Sequence, residues 1–346
     1  MAISDAMAGV QLTGHGGPEK LVWNEAIPVP RPGPGEALVK VSAAGVNNTD
    51  INTRVGWYAK EDADEDGGGW AGALPFPLIQ GGDLCGKVVA LGPNAGNITI
   101  GMRVTCATNQ PTPGAQATRG NRVIGSEFDG AFAQYCLVPA HQLYDVTASP
   151  LTNIEIAALP CAHGTAMNLV SRSGVGADDR VLVTGASGGV GMAAVELAKL
   201  RRGHVTGIAS ATKQDAVRAA GADAVLDRDA TPLAGAFTVV IDLVGGPAWT
   251  GFIEALEPGG RYAISGAIAG PMVEADLRTI YLNDLTFFGC TYTPADVFAE
   301  LVTLINDGRI KPLVSKTYDL ADIATAQMDF AAKTYPGKLV LIPPCV

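Results

Sequence analysis

Charge is scarce in this chain and aromatic residues are scarcer: of 346 residues, 17% are Asp, Glu, Lys or Arg and 6% are Phe, Trp or Tyr. That excludes a disordered, highly charged segment, and 47% apolar content suffices for the cores of two ordinary domains. Basic residues are the minority. The formal net charge of −10 disfavours nucleic acid or an anionic membrane as a broad-surface partner. No apolar run is long enough to span a bilayer. The opening "MAISDAMAGVQLTG" carries an early Asp and lacks the basic-then-apolar start of a secretory signal. Six cysteines, at 85, 106, 136, 161, 290 and 345, are too sparse for a disulfide scaffold, so reduced thiols in a cytoplasmic protein are expected.

Glycine, by contrast, is abundant at 43 residues, which suits close helix–sheet packing in an α/β protein. Up to about Asp145 the chain reads as short strands and turns: "EALVKVSAAGVN", "CGKVVALG", "GMRVTCAT", "GAFAQYCLVP". These predict a β-rich, barrel-like domain over residues 1–150, with the acidic stretch Glu61–Gly69 as a solvated loop. From about Leu151, six apolar runs ("RVLVT", "HVTGIAS", "DAVLD", "FTVVIDLVG", "GRYAISG", "LTFFGC") alternate with helical segments. Continuous apolar strands separated by helices predict a six-stranded parallel Rossmann sheet covered on both faces, over 151–292. After about Thr293 come two helices and a lone closing strand, "GKLVLIP". Residues 293–346 are too few to bury themselves and are expected to return to the first domain.

Within "VLVTGASGGVG" a strand meets a glycine turn and the start of a helix. Free N–H groups and the helix dipole at such a junction favour a pyrophosphate, so Ser187, Gly188, Gly189, Val190 and Gly191 are candidate dinucleotide contacts. The spacing is GxxGxxG, one residue longer than the common fingerprint. An NAD site usually carries Asp or Glu at the end of the second strand. Here Ser210 stands there, followed by Ala211, Thr212 and Lys213, which suit a 2′-phosphate and point to NADPH. "DLVGG" (Asp242 to Gly246) ends the fourth strand and "GAI" (Gly266 to Ile268) the fifth. Asp242, Gly245, Gly266 and Ile268 are therefore candidate contacts on the nicotinamide side.

The order "GVNNTD", "GGDLCGKVVALG", "GASGGVG", "GAD", "VVIDLVGG", "GGRYAISG", "GKLVLIP" resembles the medium-chain dehydrogenase/reductase superfamily along the whole chain. The resemblance implies a GroES-like β-barrel catalytic domain, a Rossmann domain inserted in it, and an active site in the cleft. Zinc alcohol dehydrogenases of that superfamily hold catalytic zinc with a Cys, the His of "GHE" and a later Cys; here those positions are Asn47, Gly82 and Cys161. One thiol does not make a site that needs three protein ligands. Asp83 and His163 are near in sequence but complete no ligand pattern, so no metal is expected. "GVN", Gly-x-Asp and "GASGGVG" look like the zinc-independent quinone oxidoreductases, the zeta-crystallin group. That branch implies hydride transfer from NADPH to a quinone or an activated enone.

By the same resemblance Asn47 occupies the place of the lost thiolate and could donate to the developing oxyanion, Tyr58 matches an aromatic beside the substrate, and Thr165 falls near the nicotinamide. Each also has a plain structural alternative: a turn residue, a packing Tyr and a helix residue. Two other functions remain open: an alcohol dehydrogenase or carbonyl reductase with a degenerate zinc site, and a non-catalytic NADPH-binding redox sensor. Cys85 and Cys161 sit in mostly apolar neighbourhoods and read as small buried hydrophobes, not reactive thiols. The apolar stretch "DLTFFGCTYT" predicts an edge strand through which a homodimer forms.

Overall fold

The computed structural model describes residues 3–58, 74–111 and 121–345; the predicted acidic loop at 61–69 lies outside them. Two compact units emerge, Met1–Cys161 with Ala299–Val346, and Ala162–Phe298. The boundaries differ from the expected 150/151 and 292/293. Arg103 accounts for the first of these: its guanidinium donates to the carbonyls of Val146, Ser149 and Leu151, tying that segment to the first unit's sheet.

The first unit contains β1 (Ala6–Leu12), β2 (Leu21–Pro28), β3 (Glu36–Gly45), α1 (Asn48–Val55), β4 (Leu78–Ile79), β5 (Cys85–Leu91) and β6 (Arg103–Cys106). The paired β7 (Asn109–Pro111) and β8 (Asn121–Val123) follow, then β9 (Tyr135–Pro139), β10 (Leu143–Asp145), α2 (Asn153–Ala157) and the start of α3 (Pro160–Arg172). Its main sheet runs β10-β6-β5-β3, continuing into two strands from the end of the chain, and a second sheet runs β2-β1-β4. Among the described residues the expected barrel is two open sheets and the β7–β8 pair, not a closed cylinder. β3 is bulged twice and takes β5 along Ala37–Ala43, with β9 on Glu36–Lys40. Leu38, Leu84, Val104, Phe132 and Leu341 are buried between these strands. Each aliphatic side chain so enclosed contributes about 1.5–3 kcal/mol.

The second unit is the predicted parallel sheet. Its strands are β11 (Arg180–Val183), β12 (His204–Ile208), β13 (Ala224–Leu226), β14 (Phe237–Asp242), β15 (Leu256–Ile264) and β16 (Thr286–Gly289). They lie in the order β13-β12-β11-β14-β15-β16, all parallel. This is the doubly wound order whose midpoint reversal, beside the first strand, opens a crevice for a dinucleotide. Helices α4 (Gly189–Leu200), α5 (Gln214–Ala219), α6 (Trp249–Glu254) and α7 (Leu277–Leu282) connect the strands, and α8 (Ala295–Asn306) follows β16. Leu182, Val240, Trp249, Phe252 and Tyr262 form a core here.

The closing segment adds β17 (Val314–Asp319), α9 (Ile323–Ala331) and β18 (Lys338–Ile342) to the first unit. The final strand is not alone, as expected, but pairs in parallel with β17, and its other edge meets Ala44 and Gly45 of β3.

Candidate active site

In the second unit the chain leaves β11 through Thr184–Gly188. Thr184 N donates to Ile241 O and Ala186 N to Ile208 O, so the turn is held to both neighbouring strands. Gly188 caps α4 and offers no side-chain acceptor; the first helical bond is Met192 N to Gly188 O at 2.9 Å. The first-turn N–H groups, at Gly189, Val190 and Gly191, therefore point beyond the helix end, where an anion is favoured. Close approach explains the last glycine: a Cβ on Gly191 would lie 2.2 Å from the Gly185 carbonyl oxygen. Ser187, Gly189 and Val190 are half-buried and Gly188 exposed at this end of the sheet. The arrangement fits a pyrophosphate.

At the end of β12, Ser210 and Lys213 are half-buried. Asp242 ends β14 fully buried, its carboxylate engaged within the protein. Its carboxylate accepts Thr184 Oγ1 at 2.6 Å, Tyr262 OH at 2.5 Å, Val244 N at 2.9 Å and Gly245 N at 3.2 Å. The Asp242 carboxylate fixes the turn, and the backbone of Asp242–Gly246 remains the candidate contact. Gly245 there has φ 61° and ψ −145°, a conformation essentially reserved for glycine. Gly266 is half-buried, and Ile268 is 62% exposed. Thr165 is half-buried on α3. His163 has its Nε2 3.0 Å from Glu196 Oε2, while its Nδ1 is buried without a partner.

The first unit holds a buried polar cluster at the start of α1. Asn47 caps this helix, and its backbone N–H donates to Asp50 Oδ2 at 2.8 Å. Asp83, with no exposed surface, accepts Asn47 Nδ2 at 2.9 Å, Cys161 N at 2.6 Å and Lys338 Nζ at 3.0 Å. Register brings Lys338 here: Val340 pairs with Gly45, which sets the head of β18 beside Val46 and Asn47. The ammonium also donates to Val46 O at 3.0 Å and Asn47 Oδ1 at 2.5 Å, so all three of its protons are used.

This geometry corrects one expectation. The Asn47 amide oxygen accepts from Lys338, and its nitrogen donates to Asp83 and, at 3.4 Å, to Gly45 O. Asn47 organises the cluster and has no free donor for a substrate oxyanion. Tyr58 stands just beyond α1, half-buried, its phenol oxygen 3.4 Å from the Asn52 amide.

The cluster does not fit zinc. Asn47 offers no open donor atom, Gly82 has no side chain, and Asp83 is already paired with an ammonium that repels a second cation. Burial, aided by the Asp83 charge, pushes the Cys161 thiol up to about 12, away from the thiolate a metal requires. Among the described residues no group of three or more His, Cys, Asp or Glu could hold a metal ion.

Burial also raises Asp50 to about 7, opposed by the Asn47 N–H and aided by the Asp83 charge. The folded protein then holds a proton that the unfolded chain releases near its ordinary value of 3.8. This contribution to stability is full below about pH 4 and lost as pH rises through 7. Between pH 4.5 and 7.5, unfolding by urea should show wild type losing on the order of a few kcal/mol relative to Asp50→Asn. Parallel pH profiles would contradict this.

Comparison with known proteins adds family evidence. Residues 33–148 match the alcohol dehydrogenase GroES-like domain, and residues 220–341 match the zinc-binding dehydrogenase model. A solved structure from Sinorhizobium meliloti 1021, provisionally named an alcohol dehydrogenase, is 39% identical; the match covers 99% of this chain and 98% of that one, with a TM-score of 0.91. From Sulfurisphaera tokodaii, an NAD-dependent alcohol dehydrogenase is 28% identical over 97% of this chain and all of its own. An acryloyl-coenzyme A reductase from the same organism is 27% identical over 94% of this chain and 98% of its own. The chloroplastic quinone-oxidoreductase QR1 of Triphysaria versicolor is 26% identical over 97% and 98%.

Proposed function

Because the chain belongs to the medium-chain dehydrogenase/reductase superfamily and is an oxidoreductase of the nicotinamide-dependent kind, we propose that it transfers hydride from NADPH to a quinone or an activated α,β-unsaturated carbonyl without zinc. The observation that carries this reading is the Asn47–Asp83–Lys338 cluster, built around Asn47, one of the three positions (with Gly82 and Cys161) where zinc-dependent members of the superfamily hold metal. A chain lacking a Lewis acid does not polarise a simple carbonyl well, whereas a conjugated acceptor is already electrophilic and spreads the incoming charge. Relatives named acryloyl-coenzyme A reductase and quinone-oxidoreductase support that substrate class. The cofactor preference rests on this chain's own Ser210 and Lys213, since its relatives include an NAD-dependent alcohol dehydrogenase.

NADPH supplies the hydride when bound. The first-turn N–H groups of α4 hold its pyrophosphate, Ser210 and Lys213 its 2′-phosphate, and the backbone at Gly245 and Gly266 its nicotinamide side. Asp242 keeps the Gly245 turn in shape before binding. The Tyr58 phenol is the candidate hydrogen-bond donor to the substrate oxygen, and the Asn47 cluster anchors the helix that leads to it.

The test is oxidation of NADPH by chelator-dialysed protein with a panel of quinones and enones, NADH being run in parallel. Turnover that survives dialysis and favours NADPH is expected. Activity only on added zinc would overturn the metal-free reading; tight NADPH binding without turnover would favour a sensor.

A homodimer is part of the same proposal. β16 is an edge strand, and Leu277, Tyr281, Leu282 and Phe287 are exposed on it and on α7. An unpaired apolar edge suits isologous pairing with a second copy. A purely monomeric mass by light scattering would remove this part.

A further inference from the structure

The end of the second parallel strand carries more positive charge than Lys213 alone. β12 and β13 run in parallel register with Ile208 opposite Leu226, and Ala209 N donates to Leu226 O at 3.1 Å. Two residues past each of these partners stand Ser210 and Arg228. The register brings the ends of the two strands together with Ser210 and Arg228 just past them, and Arg228 is exposed there. Lys213 follows Ser210 by three residues, at the end of a single 3₁₀ turn. Burial lowers the Lys213 ammonium, and the nearby Arg228 guanidinium lowers it further, so the two cations feel each other. Two like charges held together in a chain of net charge −10 are a local exception. Of the acidic residues flanking Arg228, Asp227 is engaged with the Asp229 N–H at 3.3 Å.

We propose that Arg228 is a further specificity-determining residue, completing with Ser210 and Lys213 a three-point site for the cofactor's 2′-phosphate. The inference rests on the NADPH reading and deepens it. A phosphate monoester carries nearly two negative charges at pH 7 and three acceptor oxygens. A hydroxyl, an ammonium and a guanidinium supply complementary donors, the guanidinium in a fork that matches two oxygens at once. A bound dianion also relieves the repulsion between Lys213 and Arg228. Neither effect is available to a ribose hydroxyl, so Arg228 should discriminate without contributing to NADH binding.

The experiment is calorimetric titration with adenosine 2′,5′-bisphosphate and with 5′-AMP. The proteins are wild type, Arg228→Ala, Ser210→Asp/Lys213→Ala, and Arg218→Ala as a charge control on the neighbouring helix. Expected is tighter binding of the bisphosphate by wild type, and a loss of roughly 10- to 100-fold in Arg228→Ala for that ligand only, the range of one or two charge-assisted hydrogen bonds. Arg228→Lys should fall between, and Arg218→Ala should leave the ratio unchanged. If wild type discriminates and only Ser210→Asp/Lys213→Ala loses it, Arg228 is overturned while the NADPH reading stands. An equal loss in Arg218→Ala would reduce the effect to general electrostatics and also overturn it. If wild type binds the two ligands equally, the NADPH reading itself fails and this inference falls with it.

Discussion

Replacing Lys338 by Met is expected to destabilise the protein by about 3–5 kcal/mol, because it leaves Asp83 fully buried without its counter-ion. Methionine matches the length of lysine and keeps the packing, so the loss reports the charge. It also strips donors from Val46 O and Asn47 Oδ1, two acceptors with no route to water in a site this enclosed. In calorimetric melting this corresponds to a fall of about 10 °C for a unit of this size. Adding Asp83→Asn to Lys338→Met removes the stranded charge and should recover about half of the loss. A Lys338→Met protein that melts with wild type would mean that the pair is not formed as described.

Gly191→Ala is expected to impair dinucleotide binding by roughly 10- to 100-fold, the scale of a 1 Å misplacement of binding groups. The added methyl group would lie 2.2 Å from Gly185 O and 2.7 Å from Ala186 Cα, both backbone atoms of a turn pinned to two strands. Neither can retreat cheaply, so α4 must move outward and carry its first-turn N–H groups with it. Overpacking of this kind also costs about 1–3 kcal/mol of stability. Gly188→Ala is the control: its Cβ would clear Gly185 O at 3.5 Å, and its φ of −79° suits any residue. It should fold normally. Fluorescence titration with NADPH, together with melting curves, separates the two effects; equal affinity in Gly191→Ala and wild type would refute the close-packing argument.

Most of the second unit was legible because its signals are local. Each apolar run from "RVLVT" to "LTFFGC" became a strand of the parallel sheet, and the glycine turn marked the helix N-terminus after β11 without help from distant residues. β17 was missed because "VSKTYD" is mostly polar and lacks an apolar run. α7 was missed for a related reason: none of its residues is buried, so no core-facing stripe is written into it. The polar cluster was legible only in part. Asn47, Gly82 and Cys161 marked the positions through family resemblance, but the cation paired with Asp83 is Lys338, 255 residues away. Nothing in "GKLVLIP" signals a buried ammonium. Only the pairing of β18 with β3 brings it into place. At Asp242 the sequence located the strand end but not the carboxylate's role, because its partners Thr184, just past β11, and Tyr262, on β15, come from elsewhere in the sheet.

The split first unit bears on the order in which this protein is made. The ribosome emits Met1–Cys161 first, yet the strand bearing Lys338 leaves the exit tunnel only after all of Ala162–Phe298 has emerged. The second unit is continuous and can complete its sheet while synthesis proceeds. The first cannot, because until β18 arrives Asp83 has no cation and the β3 edge at Ala44–Gly45 has no neighbour. The N-terminal part of the nascent chain is therefore expected to wait, partly assembled and with an open strand edge, for a segment made later. That interval is when it is most exposed to association with other chains and most in need of a chaperone.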